Sequence, residues 1–279
     1  MSNPSEARDA IGQHYGAGDL ANRVLQALKS AHGDSQTLNW TEFAPIDQFH
    51  VRGLAATKEM AEALRLRAGA AVLDIGCGLG GSARFLTANY RCHVTGIDVN
   101  EPFIALARLL TQKAALNVTY EVMNALNLIF GDNSFDFAWT QHVAMNIRER
   151  AVLYANMHRV LKPGGRIAIY DVTSGDKGPL LFPVPWARTQ EISFLLTEQE
   201  MGAALRAAGF VVISSKNQTA LGVKWFGEQQ ARSAGKPQSV LGLELVMGPE
   251  FSLMAANLAR NLQEGRAGLV QVIADKPRH

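Results

Sequence analysis

The sequence has few features that would direct it to a membrane, to nucleic acid or to an oxidising compartment. Its 279 residues include two cysteines, and 27 basic residues stand against 25 acidic ones. No apolar run approaches the roughly 18 residues that a membrane span requires. No basic block alternates with aromatic residues, as it does in many nucleic-acid binders. Residues 1–10 are polar and charged, unlike a signal peptide. We therefore expect a cytoplasmic protein without membrane insertion or a nucleic-acid partner.

The two cysteines, Cys77 and Cys92, have neither the spacing of metal ligands nor that of a disulfide framework. We interpret them as free thiols, and no metal site is expected. Apolar residues make up 47% of the chain, which is enough for a large buried core.

The most informative segment is residues 72–81, with the sequence VLDIGCGLGG. This pattern is typical of a buried strand that ends in a glycine-rich turn before a helix. Glycines at such a turn let the backbone approach a ligand closely. The free N–H groups at the start of the helix can bind an anionic group.

Two ligands fit this turn. Gly76, Gly78 and Gly81 match the G-x-G-x-x-G pattern of dinucleotide sites, and Asp98 follows at about the right distance to bind a ribose. Asp74 favours the second ligand, because a carboxylate repels a pyrophosphate but attracts an ammonium group. S-adenosylmethionine carries an α-amino group, a carboxylate, a ribose and an adenine. The charge pattern therefore favours this methyl donor.

Short apolar strands alternate with amphipathic helices, which predicts an α/β fold with a mostly parallel sheet covered on both faces. The predicted strands lie near residues 72–75, 92–98, 118–122, 135–140, 166–172, 211–214 and 269–274. Helices are predicted near residues 54–67, 100–114, 148–161, 198–208, 221–233 and 250–264. Residues 162–165, with the sequence KPGG, are predicted to form a turn before the fifth strand.

We predict a single domain over residues 1–279. Residues 1–53 form its N-terminal helical cover, and residues 54–174 form the core that binds the cofactor. Two insertions, residues 175–196 and 217–265, are expected to cover the site and contact the acceptor. The first of them contains three prolines and several aromatic residues, so it is interpreted as a lid.

The chain resembles the class I S-adenosylmethionine-dependent methyltransferases. The resemblance rests on the glycine-rich segment and on the segments Gly96–Asp98, Ser134–Asp136 and Leu161–Gly165, which occur in the family's order. Among these enzymes it is similar to the quinone C-methyltransferases, the sarcosine and dimethylglycine N-methyltransferases and the sugar O-methyltransferases. The resemblance implies a Rossmann-like, doubly wound sheet of seven strands, the last of them antiparallel.

The resemblance also implies a cofactor site. Asp74, Gly76, Gly78 and Gly80 would surround the methionine moiety. Asp98 would bind both ribose hydroxyls, and Val99 would pack on the adenine. The remaining positions are Asn124 and Ala125 for the adenine edge and Gln141 for the sulfonium side. Asn124 stands where many family members have an aspartate, and its amide oxygen can accept the same bond.

Two residues are candidates for the chemistry. Ligands of open α/β sheets lie beyond the carboxyl ends of the strands, where His142 and Asp171 follow or end neighbouring strands. The sugar O-methyltransferases have a histidine and an aspartate at matching positions. We therefore predict His142 as the base, with Asp171 orienting it or binding the acceptor. The predicted acceptor-binding residues are Tyr15, His50, Asn146, Trp186 and Trp225.

These residues predict methyl transfer to a nitrogen or oxygen of a small acceptor, with S-adenosylhomocysteine as the product, by a monomer or a homodimer. C-methylation of a quinone-like or isoprenoid-like acceptor stays open. So do a non-catalytic module that binds S-adenosylmethionine and an NAD-dependent oxidoreductase that uses the same glycines. A nucleic-acid methyltransferase is disfavoured by the near-neutral charge and by the missing proline–aromatic motif after the fourth strand.

Overall fold

A computed structural model describes residues 20–233 and 239–278. Tyr15, one of the predicted acceptor-binding residues, lies outside the described residues. None of the described helices is long and apolar enough to cross a membrane.

A seven-stranded sheet organises the chain, with strand order β3-β2-β1-β4-β5-β7-β6. β7 pairs antiparallel with both β5 and β6, and the pairs among β1 to β5 are parallel. The strands are β1 (Ala71–Ile75), β2 (His93–Asp98), β3 (Thr119–Val122), β4 (Phe135–Gln141), β5 (Leu161–Ser174), β6 (Val211–Asn217) and β7 (Ala267–Asp275). This topology confirms the predicted Rossmann-like fold with an antiparallel last strand.

Helices cover both faces of the sheet. They are α1 (Leu20–His32), α2 (Ala44–Asp47), α3 (Leu54–Leu64), α4 (Gly81–Tyr90), α5 (Glu101–Lys113), α6 (Arg150–Val160), α7 (Glu198–Ala207), α8 (Thr219–Ser233), α9 (Leu243–Met247) and α10 (Phe251–Gln263). Side chains of a strand alternate between the faces, so Val72 joins the core under α3, α4 and α5. Its neighbour Leu73 joins the core under α6 and α7.

The register brings the carboxyl ends of the central strands together. Ile75, the last residue of β1, pairs with Ile97 of β2 and with Thr140 of β4. The loops that follow these strands therefore meet at one edge of the sheet, where open α/β sheets bind their ligands.

The predicted turn at residues 162–165 is wrong. The chain passes directly from α6 into β5, and Leu161 already pairs with Phe135 of β4. The backbone of Gly164 donates to the carbonyl of Lys276 at 2.9 Å, and Lys276 donates back to Gly165 at 2.8 Å. The C-terminal segment thus supplies the hydrogen bonds that extend the strand through these glycines.

The two insertions differ in structure. Residues 175–196, here called the lid segment, contain a 3-10 turn at Gln190–Ile192 and a short bridge between Val184 and Ala187. Residues 217–265, here called the late insertion, contain α8, α9 and α10. The division of the chain into cover, core and insertions remains a prediction.

Candidate active site

The glycine-rich turn after β1 depends on backbone conformations that favour glycine. Gly76, Gly78 and Gly80 have φ angles of 68°, 52° and 79°, in the left-handed region that other residues rarely adopt. A Cβ atom at Gly76 would lie 2.3 Å from a methyl carbon of Val143, so the turn also passes close to the loop after β4. The N–H of Gly76 donates to the carbonyl of Ile97 at 2.8 Å, which fixes the turn against β2.

Asp98 joins the end of β2 to this turn. Its carboxylate accepts hydrogen bonds from the backbone N–H of Gly78 at 3.0 Å and from that of Asn100 at 2.9 Å. Burial raises the pKa of Asp98, and these N–H donors act in the opposite direction. The carboxylate is therefore held in one orientation at the ligand-binding edge of the sheet.

A cavity of about 280 Å³ lies at this edge. The predicted site residues that line it are Gly76, Gly78, Asp98, Val99, Asn124, Ala125, Gln141, His142, Asn146 and Trp186. The described predicted residues outside its lining are Asp74, Gly80, His50, Asp171 and Trp225. The structure thus brings most of the expected cofactor residues together with His142, and it places five expected contacts elsewhere.

Asp74 and Gly80 are the two expected cofactor residues outside the lining of the cavity. Asp74 is buried, its Oδ2 has no hydrogen-bond partner, and burial together with the charge of Asp98 raises its pKa to about 7. A Cβ atom at Gly80 would lie 2.2 Å from the hydroxyl of Tyr120. The close packing of Tyr120 therefore explains why position 80 is a glycine, although this residue was expected to face the cofactor.

Asn124 lines the cavity, and its side chain also shapes the loop after β3. Its Oδ1 accepts a hydrogen bond from the N–H of Leu126 at 2.9 Å. A carbonyl oxygen has a second lone pair, which stays available to a ligand.

Gln141 lies at the centre of a hydrogen-bond network at the end of β4. Its Oε1 accepts from the hydroxyl of Ser82 at 2.6 Å and from the indole N–H of Trp139 at 2.9 Å. Its Nε2 lies 3.1 Å from Nε2 of His50, which is also 3.0 Å from the carbonyl of Gly53. His50 is buried behind Gln141 and holds it in place, so the expected direct contact with the acceptor is corrected.

His142 lines the cavity and has a buried, unpaired ring nitrogen. Its ring stacks on Tyr170 with centroids 5.4 Å apart and an interplanar angle of 21°. Its Nε2 is buried and has no hydrogen-bond partner among the described residues. Burial and the neighbouring His50 hold the pKa of His142 well below its ordinary value. The ring is therefore neutral at neutral pH, in the form that can accept a proton.

Asp171 does not pair with the His142 ring, because consecutive residues of a strand point to opposite faces. The ring of Tyr170 stacks on the imidazole, and Asp171 accepts a hydrogen bond from the N–H of Val143 at 3.1 Å. Burial raises the pKa of Asp171 to about 6, and the charge of Arg150 and backbone N–H groups of the loop after β4 partly oppose this effect. Asp171 therefore orients the backbone of residues 142–146, here called the acceptor turn.

The lid segment forms one wall of the cavity. Nδ2 of Asn146 donates to the carbonyl of Trp186 at 2.6 Å, and the indole N–H of Trp186 donates to Ser193 Oγ at 2.9 Å. Trp186 is 2% exposed, so the lid is packed in place. The ring centroids of Trp225 and Phe226 instead lie 4.9 Å apart, and Trp225 packs against the core. The expected contact between Trp225 and the acceptor is therefore corrected.

Sequence reasoning missed several residues of the cavity. These include Phe49, Met123, Glu149, Pro185 and Met247. They come from segments between the loop before α3 and the end of α9 and share no motif. The order of the predicted strands points to Met123, which directly follows β3, but no local pattern identifies the others.

A buried ion pair behind the glycine-rich turn was also missed. Arg84 of α4 donates to Asp47 of α2 at 2.7 Å, and the two side chains are 0% and 2% exposed. Arg84 also donates to the hydroxyl of Thr111 at 3.0 Å. This pair fixes the N-terminal cover to the helix that begins at the turn.

Residues 73–169 match the family profile described as a methyltransferase domain. Phosphoethanolamine N-methyltransferase 1 of Arabidopsis thaliana is 30% identical over 167 residues, which cover 60% of this chain and 34% of the relative. The chain therefore spans about a third of that relative's length.

Two solved structures are similar over nearly the whole chain. One is phosphoethanolamine N-methyltransferase 2 of Haemonchus contortus with S-adenosyl-L-methionine, which has a TM-score of 0.70, 20% identity and coverage of 97% of this chain and 60% of that one. The other is the [4+2]-cyclase SpnF, with a TM-score of 0.67, 23% identity and coverage of 98% and 97%. At these identities the two structures support the fold.

The glycine-rich turn, the acid at the end of β2 and the seven-stranded sheet thus agree with the profile match and confirm the predicted family. Residues 73–169 form a methyltransferase domain of the class I, S-adenosylmethionine-dependent type.

Proposed function

We propose that the protein transfers a methyl group from S-adenosylmethionine to a nitrogen or oxygen of a small acceptor, with His142 as the proton acceptor. The observation that carries this proposal is the neutral imidazole of His142. His142 lines the same cavity as Gly76, Gly78 and Asp98, and its Nε2 has no hydrogen-bond partner among the described residues.

The residues at the turn fit the cofactor. Gly76 and Gly78 line the cavity, and a Cβ at Gly78 would lie 2.9 Å from the Phe49 ring, so the turn has room for neither side chain. Asp98 would hold the ribose hydroxyls, and Asn124 with Ala125 would hold the adenine edge. When bound, S-adenosylmethionine supplies an electrophilic methyl group on a sulfonium centre. Its methyl group would pass to the acceptor's lone pair, with the carbon–sulfur electrons retained by sulfur in S-adenosylhomocysteine.

His142 would take up at Nε2 the proton that the acceptor loses. Tyr170 stacks on the imidazole and limits its rotation. Asp171 fixes the backbone of the acceptor turn, so that the acceptor and the methyl group can be aligned.

A second candidate is a module that binds S-adenosylmethionine without transferring its methyl group. SpnF supports this alternative, because a cyclase has the same fold over 98% of this chain and fold alone does not decide function. The plant and nematode relatives, whose names specify N-methyl transfer, support the first proposal. C-methylation is a third outcome, in which an acceptor carbon attacks the methyl group.

Two measurements test the proposal. Calorimetry should show binding of S-adenosylmethionine and S-adenosylhomocysteine; tight NAD binding without S-adenosylmethionine binding would indicate an oxidoreductase. Incubation with methyl-labelled S-adenosylmethionine and a panel of alcohols, phenols and amines should form S-adenosylhomocysteine and a labelled product. Mass spectrometry of that product identifies the methylated atom. Cofactor binding without product across the panel would favour the non-catalytic module.

A further inference from the structure

The part of the cavity beyond the glycine-rich turn has its own composition. His142, Met145 and Asn146 of the acceptor turn line it together with Pro185 and Trp186 of the lid segment and Met247 of the late insertion. These six residues are called the acceptor compartment below. Four of them present apolar or aromatic surface, so most of the compartment favours an apolar molecule.

The wall of the compartment is held by hydrogen bonds on both sides. Asn146 donates to the Trp186 carbonyl, and the N–H of Phe194 donates to the Met145 carbonyl at 2.8 Å. Arg150 also donates to the Phe194 carbonyl at 2.8 Å. The indole N–H of Trp186 is already bonded to Ser193 and the side chain is 2% exposed, so the indole adds apolar bulk to the wall and no free hydrogen-bond donor.

The charges in the cavity are of one sign. Among the described lining residues, the charged side chains are Asp98 and Glu149, both carboxylates. A phosphate or carboxylate on the acceptor would lose hydration in this cavity and would face like charges. The lining therefore favours a molecule without an anionic group.

The polar atoms of the compartment favour one kind of functional group. His142 Nε2 is unpaired. Asn146 uses an N–H for Trp186, and within the described residues its Oδ1 accepts no hydrogen bond. A carboxamide oxygen is an acceptor, as is the unprotonated nitrogen of a neutral imidazole. Both atoms can be satisfied by an O–H or N–H donor on the ligand.

We propose that the methyl acceptor is an uncharged, largely apolar alcohol, phenol or amine, whose body occupies the acceptor compartment and whose O–H or N–H points to His142. This inference rests on the proposed function. It also separates this chain from relatives whose names specify a phosphorylated amine, because such an acceptor would bring an anion into a cavity lined by carboxylates.

Binding can be tested independently of methyl transfer, by calorimetry on the full chain saturated with S-adenosylhomocysteine. The probes are 2-naphthol, 2-methoxynaphthalene and phosphoethanolamine. The first two share an apolar body and differ in the O–H donor, and the third has a donor and a phosphate. We expect 2-naphthol to bind at least tenfold more tightly than either of the others. Equal or tighter binding of either one, or no binding of 2-naphthol, would overturn the proposal.

Substitutions then locate the probe. Trp186→Leu should weaken 2-naphthol binding at least tenfold, whereas Trp225→Leu, the same change outside the cavity, should alter it less than twofold. Thermal melting and the affinity for S-adenosylhomocysteine check that each variant is folded. If Trp186→Leu does not fold, Met247→Ala replaces it, with at least a threefold loss expected. Equal effects of the cavity and control variants would contradict the assigned compartment.

The two proposals fail in different ways. If 2-naphthol binds as expected and no acceptor of this class is methylated, the proposed function fails and the compartment stands. If methyl transfer occurs only to phosphorylated or carboxylated acceptors, the proposed function stands and this inference fails.

Discussion

The cofactor side and the acceptor side of the cavity are built differently. On the cofactor side, Gly76, Gly78, Asp98 and Asn124 follow the ends of three consecutive strands within about 50 residues of sequence. On the acceptor side, His142 and Met247 lie more than 100 positions apart in the sequence. The cofactor side therefore depends on strand ends and backbone conformation, whereas the acceptor side depends on side chains brought together by the whole fold.

The two sides also use hydrogen bonds differently. Asp98 binds backbone N–H groups of the turn beside it. Asn146 binds a carbonyl 40 residues away in the lid segment. Changes on the cofactor side should thus affect donor affinity, and changes on the acceptor side should affect turnover and acceptor choice.

The largest expected change is on the acceptor side. His142→Asn should lower the turnover number by about 10² to 10⁴, the usual contribution of a general base, with donor affinity changed less than threefold. Asparagine tolerates the positive φ of 53° at this position. The difference in turnover therefore reports the loss of the imidazole and not a change of the backbone. His93→Asn, at an exposed position in β2, is the matched control and should retain full activity.

The pH dependence sharpens this test. The pKa of His142 lies well below 6.5, so wild-type turnover should stay constant above pH 6.5 and fall at lower pH, where the imidazole becomes protonated. This acid limb should be absent in His142→Asn. An unchanged limb in the variant would assign the titration to another group.

The next largest change concerns the ion pair that braces the cofactor side. Asp47→Ala leaves the Arg84 guanidinium buried without its counterion, which should lower the free energy of unfolding by about 3–5 kcal/mol. Asp132→Ala removes the partner of Arg159 at a position 68% exposed and should cost about 1 kcal/mol or less. Urea unfolding measures the stability of both variants. Similar losses of unfolding free energy would argue against a stabilising role of the buried ion pair.

A smaller effect is expected at the ribose position. Asp98→Ala should weaken binding of S-adenosylmethionine more than tenfold, because it removes the proposed ribose contact and the acceptor that orients the N–H of Gly78. Asp176→Ala, at an exposed position of the lid segment, should leave the affinity unchanged. Calorimetry on the two variants decides the role, and unaltered binding in Asp98→Ala would refute it.

The smallest effect concerns the pH dependence of stability. The carboxyl of Asp74 titrates near 3.8 in an unfolded chain and at about 7 in the folded protein. The folded state therefore binds more protons than the unfolded state in this range, and Asp74 lowers stability as the pH rises through it. Asp74→Asn removes this term. Its melting temperature relative to the wild type should increase by a few degrees from pH 4 to pH 8; a constant difference would contradict the raised pKa.

Much of the fold and of the cofactor side could be predicted because its signals are local. The alternation of strands and helices gave the sheet, and the motif order indicated an antiparallel last strand. The segment at residues 162–165 failed because its pairing partner, Lys276, lies more than 100 residues away. A local proline–glycine pattern reads as a turn unless a distant strand supplies hydrogen bonds.

The side-chain partners of the site were harder to predict than its location. His142 and Asp171 were both placed at the correct edge of the sheet, yet Asp171 contacts the backbone and Tyr170 contacts the ring. The alternation of side chains along β5 could have indicated that Tyr170, and not Asp171, contacts the ring, because adjacent residues of a strand face opposite sides. Trp186 and Met247 depend on loop packing, for which the sequence has no periodic signal.

The contact between Asp171 and the acceptor turn has a consequence for engineering and for divergence. The carboxylate binds the N–H of Val143, a group that nearly every amino acid provides, so this contact does not depend on the side chain at position 143. Positions 145 and 146 can then be varied in a library while this contact persists, whereas the positive φ at position 142 limits the replacements there. A scaffold of this kind permits new acceptors to be selected without rebuilding the donor site.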